Sequence, residues 1–144
     1  MVKAKAAGEL PTIHDMLLLH GGPEAVEAWD GAAEHLRRSI PGRQAAELRA
    51  FYQHNLDHQH RVESARAVFQ FMLAKKRPAM YSLEAELCRS LKDEKFNAAD
   101  ERRTLAYADP KYCDMRQTVE EIAVLDKQLD SLCWRLRNQL NGSN

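Results

Sequence analysis

The stretch MRQTVEEIAVLDKQLDSLCWRLRNQL, residues 115–140, decides the fold. Met115, Val119, Ile122, Leu125, Leu129, Leu132, Leu136 and Leu140 recur at three- and four-residue intervals without a break. On a helix these side chains share one face, and so long an apolar seam is the pattern of a packed bundle or a coiled coil. The chain reads as all-α: a long-helix bundle or helical hairpin with coiled-coil-like packing, and one that self-associates. Immediately upstream, Asp109-Pro110 supplies a capping side chain and then a proline whose fixed φ suits a first helical turn. The final helix is therefore expected to begin there and end at Leu140.

Working back from that helix, residues 43–76 contain neither Gly nor Pro, and Leu48, Phe51, Val62, Ala65, Phe69 and Met72 keep the same spacing. Asn55 and His58 interrupt that seam. Either the helix bends or is wet there, or the two form a buried polar pair that sets register or oligomeric state. Pro78 is expected to break the helix, with Met80, Leu83, Leu87 and Leu91 marking a shorter one that ends near Lys95. Asn97 is a candidate cap for a turn through Leu105. Near the start, Thr12 caps a short helix through Met16 and Leu18 that stops at Gly21-Gly22. Pro23 then opens a second helix with Val26, Trp29, Ala33, Leu36 and Ile40 as its apolar positions, ended by Pro41-Gly42. Residues 1–10 read as a frayed end and 141–144 as a flexible tail, so the 144 residues form one helical domain.

Composition agrees with a globular helical protein: 44% hydrophobic, 29% charged and only 7% aromatic. The net charge is zero, but its distribution is uneven. Residues 1–34 carry two basic and six acidic side chains, residues 35–111 fifteen and ten, and residues 112–144 four and five. No apolar run approaches the roughly 20 residues that span a bilayer, which predicts no membrane partner. Three cysteines (Cys88, Cys113, Cys133) without a Cys-x-x-Cys, and no leader-like segment, point to a reducing cytoplasm.

Little in the sequence favours catalysis. There is no P-loop, Gly-x-Gly-x-x-Gly or Gly-x-Ser-x-Gly. His54, Asp57, His58 and His60 are the densest group of metal-ligand types, and His54 and His58 stand one turn apart. They supply two corners of a zinc site where three or four are needed, and the His-Glu-x-x-His pattern is absent. The chain is accordingly read as a non-enzyme without cofactor or metal. The basic middle carries more. Lys75, Lys76 and Arg77 cluster before Tyr81, and Arg102 and Arg103 lead to Tyr107 and Lys111. Cations that track phosphates, interleaved with rings on which bases stack, are what sequence-tolerant single-strand binding uses. Glu84, Glu86, Asp93, Glu94, Asp100 and Glu101 are the competing partners for those cations. A helix C-terminus, which favours positive charge, is the competing explanation for Lys75 to Arg77.

The layout of residues 61–140 resembles UvsY-like phage recombination mediator proteins. The resemblance lies in the helix carrying Lys75-Lys76-Arg77, the linking segment with Leu83 and Leu87, the stretch through Ala98-Ala99-Asp100, and the closing helix with Val119-Glu120-Glu121-Ile122 and Leu129-Asp130-Ser131-Leu132. It implies a helical ring-forming protein that binds single-stranded DNA and helps load a recombinase, in the cytoplasm of an infected or lysogenic bacterial host if phage-encoded. Residues 1–45 have no counterpart in that layout. The alternative is a small phage protein that inhibits a bacterial defence nuclease, in the manner of an anti-CRISPR. Glu24, Glu27, Asp30 and Glu34 on the second helix would then mimic a phosphate backbone, or an apolar stripe would enter a groove on the target.

Overall fold

The structure is a computed structural model and describes residues 11–42, 44–93 and 98–141. The expectations for residues 1–10, for Glu94, Lys95 and Asn97, and for residues 142–144 lie outside these. The described residues form four α-helices and no strand: α1 (Ile13–Leu36), α2 (Ala45–Asp93), α3 (Ala99–Tyr107) and α4 (Pro110–Leu140). None of them is long and apolar enough to cross a membrane. They divide into two compact units, residues 1–70 with 124–144, and residues 71–123. Both α2 and α4 contribute to each.

The first unit holds α1, the N-terminal part of α2 and the C-terminal part of α4. Thr12 and Asp15 form a reciprocal capping box at the start of α1: the Asp15 N–H donates to Thr12 Oγ1 (3.1 Å) and the Thr12 N–H to Asp15 Oδ2 (3.0 Å). The expected stop at Gly21-Gly22 appears as a kink, with Gly22 at φ +77°, a conformation that L side chains rarely adopt. Gly21 is required for a different reason. A Cβ there would stand 2.6 Å from Ala25 Cβ and 2.7 Å from Phe69 Cζ, and Phe69 is fully buried. Gly21→Ala is expected to cost about 2 kcal/mol by overpacking, seen as a melting temperature lower by roughly 6 °C.

Beyond the kink, α1 buries Ala25, Ala28, Ala32 and His35, one position away from the expected line of Val26, Trp29 and Ala33. Small side chains let the helix axis approach closely, which leaves the larger Val26 and Trp29 half-buried on the flank. The helix ends at Leu36, before Ile40.

The α4 seam buries Leu125, Leu129, Leu132 and Leu136 in this unit, but its last position is Gln139, 1% exposed, with Leu140 half-buried. Gln139 belongs to a polar network that includes Asn55, which is fully buried. Asn55 Nδ2 donates to Gln139 Oε1 and to the Leu136 carbonyl (both 2.9 Å), and Gln59 Nε2 donates to Asn55 Oδ1 (2.7 Å). Gln139 Nε2 donates to the carbonyls of His35 (3.1 Å) and Arg38 (3.2 Å) at the end of α1. The interruption at Asn55 is thus a buried polar network within the chain, with Gln59 and Gln139 as its partners and not His58: three amides link α2 and α4 to carbonyls at the end of α1. A charged fork adds to it, with Arg66 of α2 meeting Asp126 (2.9 Å) and Asp130 (3.0 Å) of α4.

In the second unit, α2 continues without interruption past Pro78, against the expected break. Proline removes the hydrogen bond to the carbonyl four residues earlier, here Ala74. Both residues are exposed, so water can take the donor's place. The expected start of α4 is observed: Asp109 Oδ1 accepts from the Tyr112 N–H (3.1 Å), ahead of Pro110. By contrast α3 has Ala98 at its N-cap, which makes no side-chain cap. Leu73, Met80, Ala106, Tyr112, Val119 and Ile122 are buried in this unit.

Candidate nucleic-acid interface

The continuity of α2 changes the meaning of Lys75, Lys76 and Arg77. They stand in mid-helix, far from the C-terminal carbonyls at Asp93, so the helix dipole does not account for them. Lys75 and Arg77 are exposed and Lys76 is half-buried, and none of the three has an ion pair among the described residues. The sequence contains no acidic residue between Glu63 and Glu84, so this part of α2 is uniformly basic.

Two rings accompany the cations. Tyr81 is 58% exposed, and Phe71, which the sequence reading passed over, is 61% exposed. Lys75 Nζ lies 4.6 Å from the Phe71 ring centroid, close enough for a cation–π contact. Phe71, Lys75 and Pro78 follow one another at four and three residues and so share a face. Tyr81 comes one turn further on. The signal for Phe71 was available: it is off the Phe69 and Leu73 seam and one turn before a lysine. On the neighbouring face Lys75 and Lys76 line a groove of about 330 Å³ with Asp114, Met115 and Thr118 of α4. Asp114 is the one carboxylate there.

The other expected contacts are placed differently. Arg103 and Tyr107 converge on Glu84: the Tyr107 hydroxyl donates to Glu84 Oε1 (3.2 Å), and Arg103 Nε stands 4.0 Å from the same oxygen and Nη1 3.9 Å from Asp100. Tyr107 also stacks on Tyr112 with centroids 5.2 Å apart, and Arg116 covers it at 5.6 Å. Burial pushes the Tyr112 phenol up, and Glu84, Tyr107 and Tyr81 add to the rise. These two tyrosines and Arg103 therefore hold α3 and α4 in place around Glu84. Arg102 is half-buried, and Lys111 is exposed on the first turn of α4 without an ion pair among the described residues. What remains as a candidate contact surface is Phe71, Lys75, Lys76, Arg77 and Tyr81 on α2, with Lys111 on α4.

The histidine group does not assemble. His54, Asp57 and His60 are exposed, with Asp57 accepting from Gln53 Nε2 (3.1 Å). His58 instead turns inward to His35, ring centroids 5.1 Å apart. Among the described residues no group of three or more His, Cys, Asp or Glu is placed to hold a metal ion. Burial, followed by the other histidine for His35 and by Arg61 for His58, lowers the pKa of both. Of the acidic residues on α1, Asp30 is engaged by His14 (2.6 Å) and Glu34 by Arg38 (3.2 Å), which leaves Glu24 and Glu27 of the four phosphate-mimic candidates unpaired among the described residues. The cysteines are free, and burial pushes the Cys133 thiol up, which suits a packing role and not a nucleophile. No family model, curated protein or solved structure matches this chain.

Proposed function

We propose that this chain binds single-stranded DNA through the exposed face of α2 and serves, as a helical oligomer, as a non-enzymatic accessory protein in recombination. The observation that carries the DNA contact is the acid-free stretch between Glu63 and Glu84, in which two exposed rings, Phe71 and Tyr81, flank Lys75 and Arg77, neither of which has an ion pair among the described residues. Cations neutralise phosphates without reading sequence, and each ring offers a base a stacking platform worth about 1–3 kcal/mol. The accessory role in recombination comes from the resemblance of residues 61–140 to UvsY-like mediators. Zero net charge limits non-specific attraction to the whole molecule, which concentrates the interaction on this one face.

The variants separate the two components. Replacing Lys75, Lys76 and Arg77 together with Glu is expected to abolish measurable binding of a fluorescent oligonucleotide. Replacing them with Gln is expected to reduce the slope of log affinity against log salt by about 2, since each phosphate contact on a single strand contributes roughly 0.7. Phe71→Ala and Tyr81→Ala should each weaken binding roughly tenfold or more while leaving that slope unchanged. Binding indifferent to all of these substitutions would remove α2 as the contact surface.

A further inference from the structure

A second surface lies in the other unit, on the groove between α1 and α2. It encloses about 630 Å³. Its floor is made of small side chains, Gly21, Ala25 and Ala28 from α1 and Ser64 and Ala65 from α2, and Val68 projects at one end with 51% of its surface exposed. The rims carry opposite charge. Glu24 and Glu27 stand on the α1 side, His60 and Arg61 on the α2 side, all exposed and none paired among the described residues.

The two helices run antiparallel here, because Gly21 packs on Phe69 while Gly31 packs on His58. That register sets Glu27 level with Arg61 across the groove. An isologous pair of chains uses the same patch twice, so the patch must complement itself. Laying a second copy face to face allows two choices of two-fold axis. An axis across the groove would put α1 over α1 and oppose Glu24 and Glu27 with themselves. An axis along the groove puts α1 of each copy over α2 of the other, at the same level. The acidic rim then meets the basic rim twice, and the protruding Val68 of each copy comes to lie over the small-residue floor at the Gly21 end of the other.

We infer that the α1–α2 groove is the contact face of a two-fold homodimer, in which Glu27 of each copy pairs with Arg61 of its partner. The inference deepens the self-association in the reading above and does not depend on DNA binding: it is read by mass without nucleic acid, so either can fail alone. Sedimentation equilibrium of the full chain is expected to show a dimer at micromolar concentration. Glu27→Arg and Arg61→Glu should each raise the dimer Kd at least tenfold with unchanged circular dichroism, since both side chains are exposed. Mixing the two variants in equal amounts is expected to restore association to within about threefold of the original. The mixed dimer keeps the natural pair at one rim and carries the same pair with its charges exchanged at the other. A monomer at a concentration about a hundredfold higher, or variants that weaken association but do not rescue each other, would overturn the inference. Rescue has no explanation in a groove that receives an unrelated protein or serves only the fold of one chain.

Discussion

Replacing Asn55 with Ala is expected to destabilise the first unit by about 3 kcal/mol, the largest loss from any single side chain in this account. Asn55 uses all its hydrogen-bonding groups: two N–H donors to Leu136 and Gln139, and its oxygen to Gln59. Truncation strands the Gln139 carbonyl oxygen and the Gln59 amide in a dry interior. Each stranded buried polar group costs about 1–3 kcal/mol. The damage should spread to α1, since Gln139 is what reaches the carbonyls of His35 and Arg38. Urea denaturation measures it directly. Asn55→Ala combined with Gln139→Leu should cost less than the sum of the two single losses, because the bond between the two side chains is lost in each. A double variant less stable than the two single losses combined would contradict a network acting as one unit.

Acid is expected to loosen the same unit through His35 and His58. His35 is 2% exposed, and among the described residues neither of its ring nitrogens nor Nδ1 of His58 has a hydrogen-bond partner. His35 lies against Phe51 at 4.7 Å and His58 at 5.1 Å. Arg38 beyond the end of α1, and His54 and Arg61 on α2, all oppose a further positive charge, and Asp57 alone favours it. Both pKa values are lowered in the folded chain, so the sign follows. The unfolded chain takes up protons as pH falls through about 6.5 while the folded chain stays neutral, and stability is lost from there downward until the lowered folded pKa is reached. The loss is at most about 2 kcal/mol per histidine at pH 5, and less for the half-buried His58. Thermal melts at pH 7.5 and pH 5 should therefore diverge for the natural chain and draw closer in His35→Phe, which keeps the ring contact with Phe51 and leaves the smaller contribution of His58. Equal acid sensitivity in the variant would show that other groups control it.

Periodicity made the long elements legible because a helix repeats its face every few residues over many turns. The α4 seam and the Asp109-Pro110 start needed nothing more. It located the α1 face one position away, because alanines carry too little hydrophobicity to announce a buried stripe beside Val26 and Trp29. It read Pro78 as a terminus, since the cost of a proline depends on whether the freed carbonyl meets water, which only exposure reveals. Asn55 was visible as an anomaly, but its partner Gln139 was not: the residue next to it, Leu140, continues the apolar spacing. His35 gave no local sign of pairing with His58. At the candidate interface Lys75, Lys76, Arg77 and Tyr81 were legible as a basic run beside a ring. Arg103 and Tyr107 share that composition, and only the approach of Glu84 separates a structural cluster from a contact surface.

The measurement closest to the central claim is fluorescence anisotropy of a labelled single-stranded oligonucleotide, titrated with the full chain across a range of salt concentrations. Binding by α2 predicts saturable association at low salt that weakens steeply as salt rises, as counterions released by phosphate contacts require. Absence of binding at low salt, or an affinity insensitive to salt, would contradict it.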